Sequence, residues 1–152
     1  VLLVKGSLAG GHALWRLAES VTNEGLIRLE SSGGALGSNL LLASGTLVNQ
    51  GRIEVNAGSG GQRLIMANLD NQGIFRNNAQ LKFNKSRWVY TNSNGKFRVE
   101  AGQSLTIASG LQVFNQNGGD LVVDGNMNLS TMTFNINGGS VPAKAPCSTT
   151  AP

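Results

Sequence analysis

The sequence predicts an all-β fold: a single-stranded, right-handed parallel β-helix, or β-solenoid, of about six rungs of roughly 20–26 residues each. Three observations carry that expectation. An Asn-x-Gly phrase followed by apolar residues keeps returning, the residues after it alternate with period two, and no stretch holds a helical period. The phrase stands as TNEGLIRLE at Gly25, VNQGRIEV at Gly51, DNQGIFRN at Gly73, NSNGKFRVE at Gly95, NQNGGDLVVD at Gly119 and NINGGSV at Gly139. The intervals are 26, 22, 22, 24 and 20 residues, with a mean near 23. A period in the twenties marks a repeat architecture, in which no unit can bury its apolar face alone and each stacks on its neighbours.

Within each unit the first strand follows the glycine. Two and four positions beyond it stand Ile27 and Leu29, Ile53 and Val55, Phe75 and Asn77, Phe97 and Val99, and Leu121 and Val123. Such alternation buries one face of a strand. A second strand is expected from Leu40 and Leu42, Leu64 and Met66, Leu81 and Phe83, Leu105 and Ile107, and Met127 and Leu129. A third, weaker apolar position precedes the asparagine at Val21, Leu47, Leu69 and Val113. Parallel strands joined by crossovers take the right-handed sense almost always. Asn77 breaks the inward pattern, and early termination of its strand is expected ahead of a slipped register or a buried amide, since its corner is the shortest.

The corner residues have a structural reading. Glycine supplies φ > 0 at a sharp bend, and asparagine tolerates that region while bonding its own backbone. The expected corner set is Asn23, Gly25, Asn49, Gly51, Asn71, Gly73, Gly95, Asn117, Gly119, Asn137 and Gly139. Stacked rung on rung, Asn23, Asn49, Asn71, Asn117 and Asn137 can share side-chain amide hydrogen bonds along the coil. The Gly-rich stretches 31–38 and 56–62 are read as longer corners. Neither carries the Gly-Lys-Ser/Thr ending or the following helix of a phosphate loop.

Composition agrees with a rod of small β-formers: 152 residues, 21 of them glycine, 13% charged and 5% aromatic. All three prolines lie in the last eleven positions, so residues 1–141 are expected to form the solenoid and 142–152, PAKAPCSTTAP, a flexible tail or linker. The opening VLLV is too short to span a bilayer or to make a complete signal peptide and reads as an entry strand. The single cysteine, Cys147, has no intrachain partner.

Chemistry-bearing residues are sparse. His12 is the sole histidine, with no cysteine or second histidine near it, and is expected at a solvent-facing or edge position. The eight acids stand singly, whereas a lyase or glycosidase needs carboxylates gathered on one face. No enzyme activity, cofactor, metal, nucleic-acid partner or membrane span follows from these residues. The register instead puts Arg28, Glu54, Arg76 and Arg98 in one outward row, with Glu30, Glu100 and Asp124 beside it, a mixed-sign surface of weak ion pairs. In 81–95, Lys82, Lys85 and Arg87 gather around Trp88 and Tyr90, with Lys96 and Arg98 close behind. Rings stack on sugars and cations meet carboxylated or sulfated polymers, so these seven residues are the candidate site for polysaccharide. Packing of the two rings on the coil is the preferred alternative, and a formal charge of +4 is modest for a polyanion binder. Asn84 and Asn128 stand in sequons and are candidate glycosylation acceptors in a glycosylating host.

The phrases GTLVNQGRIEV, ANLDNQGIF and NQNGGDLVVDGNMNL resemble the β-helical repeats of filamentous haemagglutinins and related secreted bacterial adhesins. The resemblance covers about residues 20–140. It implies an extracellular or cell-surface rod that presents or reaches. The expected function is a non-enzymatic structural or adhesive module, a segment of a stalk or a subunit of a filament assembled by end-to-end β-stacking. Its expected partners are a second copy or continuing repeats, since open strand edges template further strands. The alternative is a carbohydrate-binding module using residues 82–98.

Overall fold

Alternation at period two becomes sixteen short strands, and no helix interrupts them among the residues described, 1–84, 87–107, 112–129 and 132–142 of a computed structural model. They are β1 (Leu2–Ser7), β2 (Ala13–Leu17), β3 (Val21–Asn23), β4 (Leu26–Ser32), β5 (Ser38–Asn49), β6 (Arg52–Asn56), β7 (Arg63–Asn71) and β8 (Ile74–Asn78). The second half holds β9 (Leu81–Phe83), β10 (Val89–Asn92), β11 (Lys96–Val99), β12 (Ser104–Ile107), β13 (Gln112–Gln116), β14 (Asp120–Val123), β15 (Asn126–Asn128) and β16 (Met132–Ile136).

Every strand pairing is parallel and joins one turn to the next. One sheet runs β1-β4-β6-β8-β11-β14, six strands deep, so about five turns separate its first strand from its last. The other sheet bends through β5 and β7. Their first halves carry β2, β9, β12 and β15, and their second halves carry β3, β10, β13 and β16. The chain is therefore a β-solenoid with three strand positions per turn.

The register stacks like on like. Ile27, Ile53, Phe75, Phe97 and Leu121 form one inward row, and Leu47, Leu69, Tyr90, Phe114 and Phe134 another. Phe75 and Phe97 stack face on across superposed turns at 4.4 Å and 4°, and Phe83 and Tyr90 stack at 4.3 Å and 16° within one turn. Each such pair adds about 0.5–1.5 kcal/mol to the burial of its area.

Several expected positions move by one residue. Leu64 and Met66 lie on the outer side of β7, while Arg63, Ile65, Ala67, Leu69 and Asn71 are buried. β7 crosses its corner without an insertion, so the phase set by Leu69 and Asn71 propagates back in steps of two. Val113 likewise faces outward and Phe114 inward. Asn77 does not end its strand. β8 continues to Asn78 in unbroken register, with Asn77 fully buried between Val55 and Val99 and its Nδ2 donating to Ser104 O at 3.1 Å. The tail from residue 143, with Cys147, lies outside the described residues, as do Lys85 and the sequon serines at 86 and 130.

Candidate functional site

The most regular feature is the corner column between the third strand of each turn and the first of the next. Asn23 Nδ2 donates to Asn49 Oδ1 at 2.7 Å, Asn49 to Asn71 at 2.8 Å, Asn71 to Asn92 at 2.7 Å, and Asn92 to Gln116 Oε1 at 3.0 Å. Asn49, Asn71, Asn92 and Gln116 are fully buried. Each amide also reaches a backbone carbonyl, of the next turn as Asn49 does at Ile74 O or of its own corner as Asn71 does at Gly73 O, so these buried amides are satisfied. Asn117 and Asn137, expected in this ladder, stand one residue outside it. They make an exposed pair of their own at 2.8 Å. The corners before Gly95 and Gly119 hold one extra residue, which puts Asn92 and Gln116 in the ladder. Continuing the alternation from Tyr90 and Phe114 by two finds both.

The glycines are needed chiefly for contact between turns. Gly25, Gly51, Gly73 and Gly95 do not have positive φ; only Gly119 (φ 65°) and Gly139 (φ 78°) of the expected set do. A Cβ on Gly51 would fall 2.6 Å from Glu24 O, and one on Gly73 2.6 Å from Gln50 O. Each would lie closer still to the carbonyl oxygen of the glycine one turn before. That same oxygen accepts the next backbone N–H, as Gly51 O accepts from Ile74 N at 2.9 Å. At Gly25 an added Cβ meets nothing within 4 Å.

The structure does not bring the expected glycan cluster together. Tyr90 is fully buried against Phe83, and Trp88 is 8% exposed, so neither ring presents a face to solvent. Lys82 lies on the outer side of β9, in the sheet opposite β11, which carries Lys96 and Arg98. Arg87 is exposed at a turn with φ 67°. Burial raises the Tyr90 phenol pKa, and its hydroxyl has no hydrogen-bond partner among the described residues. Asn84 is half-buried and Asn128 exposed. His12 is exposed, its Nδ1 accepting from Gly37 N at 3.0 Å. Among the described residues no three His, Cys, Asp or Glu side chains come together.

Lys96 and Arg98 instead join a charged face that crosses β4, β6, β8 and β11. Arg28 pairs with Glu54 at 3.0 Å, Arg52 with Glu54 at 3.2 Å, Arg76 with Glu100 at 2.6 Å, and Arg98 with Asp124 at 2.7 Å. Arg98 Nε also lies 3.0 Å from Glu100 Oε2, without hydrogen-bond alignment. Burial alone would raise the Glu54 carboxyl, but hydrogen bonds from Arg28 and Arg52 outweigh it and leave its pKa below the ordinary value. A shallow groove of about 350 Å³ runs over this face, lined by Arg52, Ile74, Arg76, Lys96, Arg98 and Glu100. Ile74 is 37% exposed on its floor. Lys96 makes no ion pair among the described residues, and Arg76 engages its carboxylate through Nε alone. Free cationic donors beside an apolar floor can meet an anionic sugar.

The chain matches no protein-family model, no curated protein and no solved structure.

Proposed function

We propose that the chain is a non-enzymatic structural module of an extracellular rod, whose coil continues onto a further coil, its own or a second copy's, by β-stacking. The observation that carries this is the corner motif at Asn23 and Gly25. Elsewhere a stacked corner glycine is required because a preceding turn lies against it, yet at Gly25 none of the described residues does. Asn23 Oδ1, unlike the ladder oxygens after it, accepts no donor among the described residues. A coil seated beneath would supply both contacts. β1 and β16 support the same reading, since each pairs on one side only among the described residues, with β4 and β13. Val1, Leu3 and Leu8 are exposed apolar residues beside the β1 edge. Strand edges of this kind template further strands, and a contact that does not close gives a fibre.

Electron microscopy and sedimentation of the purified chain test this. Filaments or concentration-dependent oligomers are expected, and Gly25→Ala is expected to abolish them while leaving the folded monomer intact. Dispersed monomers at every concentration, or assembly indifferent to Gly25→Ala, would overturn stacking onto a second copy and leave only continuation within a longer chain.

A second reading is contact with acidic polysaccharide along the Arg52–Arg98 groove, favoured by the uncommitted donors of Lys96 and Arg76 around Ile74. Retention on an immobilised polyuronate should fall with salt and fall further in Arg76→Gln/Lys96→Gln. No retention at low salt removes this reading and leaves the structural one untouched.

A further inference from the structure

Arg63 is the one charged side chain among the buried residues of the described core. It occupies an inward row between Ser38 and Leu81, a place otherwise held by small or apolar residues, and is 4% exposed. Its position follows from the phase of β7, which cannot turn Arg63 outward without also exposing Ile65, Leu69 and Asn71. Nη1 donates to Gly61 O at 2.7 Å and Nη2 reaches Ser31 O at 3.5 Å, while Nε has no partner among the described residues. No carboxylate lies within ion-pair distance among the described residues, and Glu30 acts on it only through its field. A buried guanidinium without a counter-ion is strongly disfavoured, because desolvation is not compensated by a paired charge.

Beside it opens a cleft of about 360 Å³, lined by Arg63 with Gly58, Gly60, Gly61, Gln80 and Gln103 among others, and by no acidic residue. The side-chain amides of Gln80 and Gln103 and the N–H of Gly58 make no hydrogen bond among the described residues. Glycine at 58 brings the backbone onto the guanidinium: a Cβ there would lie 3.2 Å from Arg63 Nη2 and collide with Ser31 O. A buried cation, uncommitted neutral donors and no carboxylate in the cleft lining together make the complement of a small anion.

We propose that this cleft binds an oxyanion, a carboxylate or phosphate group on a ligand no larger than a sugar acid. Arg63 supplies the charge, and the Gly58 N–H with the Gln80 and Gln103 amides supply the remaining donors. The site lies on different residues from the coil edges and from the Arg52–Arg98 groove, so it stands or falls separately from both.

The test uses the full chain, with inorganic phosphate and glucuronate as separate probes and sodium chloride at matched ionic strength as the baseline. An anion that binds only the folded chain raises Tm by about 3–6 °C at ten times its Kd. It also moves the Gly58 amide and Arg63 Nε–Hε resonances. A stronger response to phosphate identifies a free oxyanion as the ligand type, and a stronger response to glucuronate an acidic sugar. Arg63→Met is expected to abolish the response. Should that variant fail to fold, Gln80→Ala/Gln103→Ala decides: it removes two accessible amides outside the core, and affinity should fall several-fold with the Tm in chloride unchanged. Neither probe exceeding chloride at tens of millimolar, or an unchanged affinity in the glutamine variant, would overturn the proposal.

Discussion

Alanine at Gly73 and alanine at Gly25 are expected to act in opposite directions, although both glycines stand in the same Asn-x-Gly phrase. Neither has positive φ, so neither substitution strains the backbone directly. At Gly73 the new Cβ falls 2.6 Å from Gln50 O and 2.7 Å from Gln50 C, while real Cβ contacts stay beyond 3.0 Å. The neighbours are backbone and cannot rotate away, so adjacent turns must separate. Overpacking of this kind costs about 1–3 kcal/mol. The separation also stretches two hydrogen bonds, Gly73 N to Asn49 O at 2.7 Å and Ile74 N to Gly51 O at 2.9 Å. Each contributes about 1 kcal/mol. The stiffer unfolded chain returns about 0.4–1 kcal/mol, so a net loss of about 2–4 kcal/mol is expected, a fall in Tm of roughly 5–15 °C. At Gly25 only the unfolded-chain effect remains, and Tm should rise by about 1–4 °C. Thermal unfolding followed by far-UV circular dichroism, at concentrations where the chain is monomeric, reads both. Equal shifts in the two variants would refute the inter-turn contact as the reason for the glycines.

Three further outcomes follow from the core and the charged face. Tyr90 is the only tyrosine, and its folded pKa lies above the ordinary 10.0 because burial disfavours the phenolate. Its contribution to stability is therefore full below about pH 10 and is lost as pH rises through the folded value. Tyrosinate absorbance should appear only together with alkaline unfolding, and a reversible titration near pH 10 in folded protein would contradict the burial. Glu54 has the opposite sign: its pKa is depressed below 4.5, so its contribution is present above that value and lost as pH falls below it. Glu54→Gln should lower stability at neutral pH, leave it little changed at acid pH where the carboxylate is already protonated, and so flatten the acid limb of the stability–pH curve. Asn92→Leu leaves Gln116 Oε1 without a donor and Asn71 Nδ2 with only Gly73 O in the core, and is expected to destabilise by about 2–5 kcal/mol, measured by urea unfolding.

The solenoid was legible because its strands repeat at near-constant spacing and half of each strand must be apolar. Residues such as Ile27, Ile53 and Phe97 declare their row by period two alone. The stretch RLIMANL did not, since Leu64, Ile65 and Met66 are apolar in succession and allow either phase. Asn71 decides between the phases, at the distance of a whole strand. The corner set was legible as a motif but not in its detail. Asn49 and Asn71 sit two residues before their glycine, whereas Asn92 and Gln116 sit three before theirs. The proposed glycan cluster was contiguous in sequence, and the structure distributes it between the core and two sheets. The Arg52–Arg98 groove needed three turns to be superposed before it existed.

Alternation and the returning Asn-x-Gly determine by themselves that the chain coils, because backbone pleat and side-chain hydrophobicity are local properties. Which residues touch is decided between turns. Superposition makes Gly73 a contact with Gly51, draws Asn92 into a hydrogen-bonded column, and holds Arg63 inside the coil. The first two are set by partners 21 or more residues away, which no stretch of sequence shorter than a turn contains, and the third by the phase that Leu69 and Asn71 impose on β7.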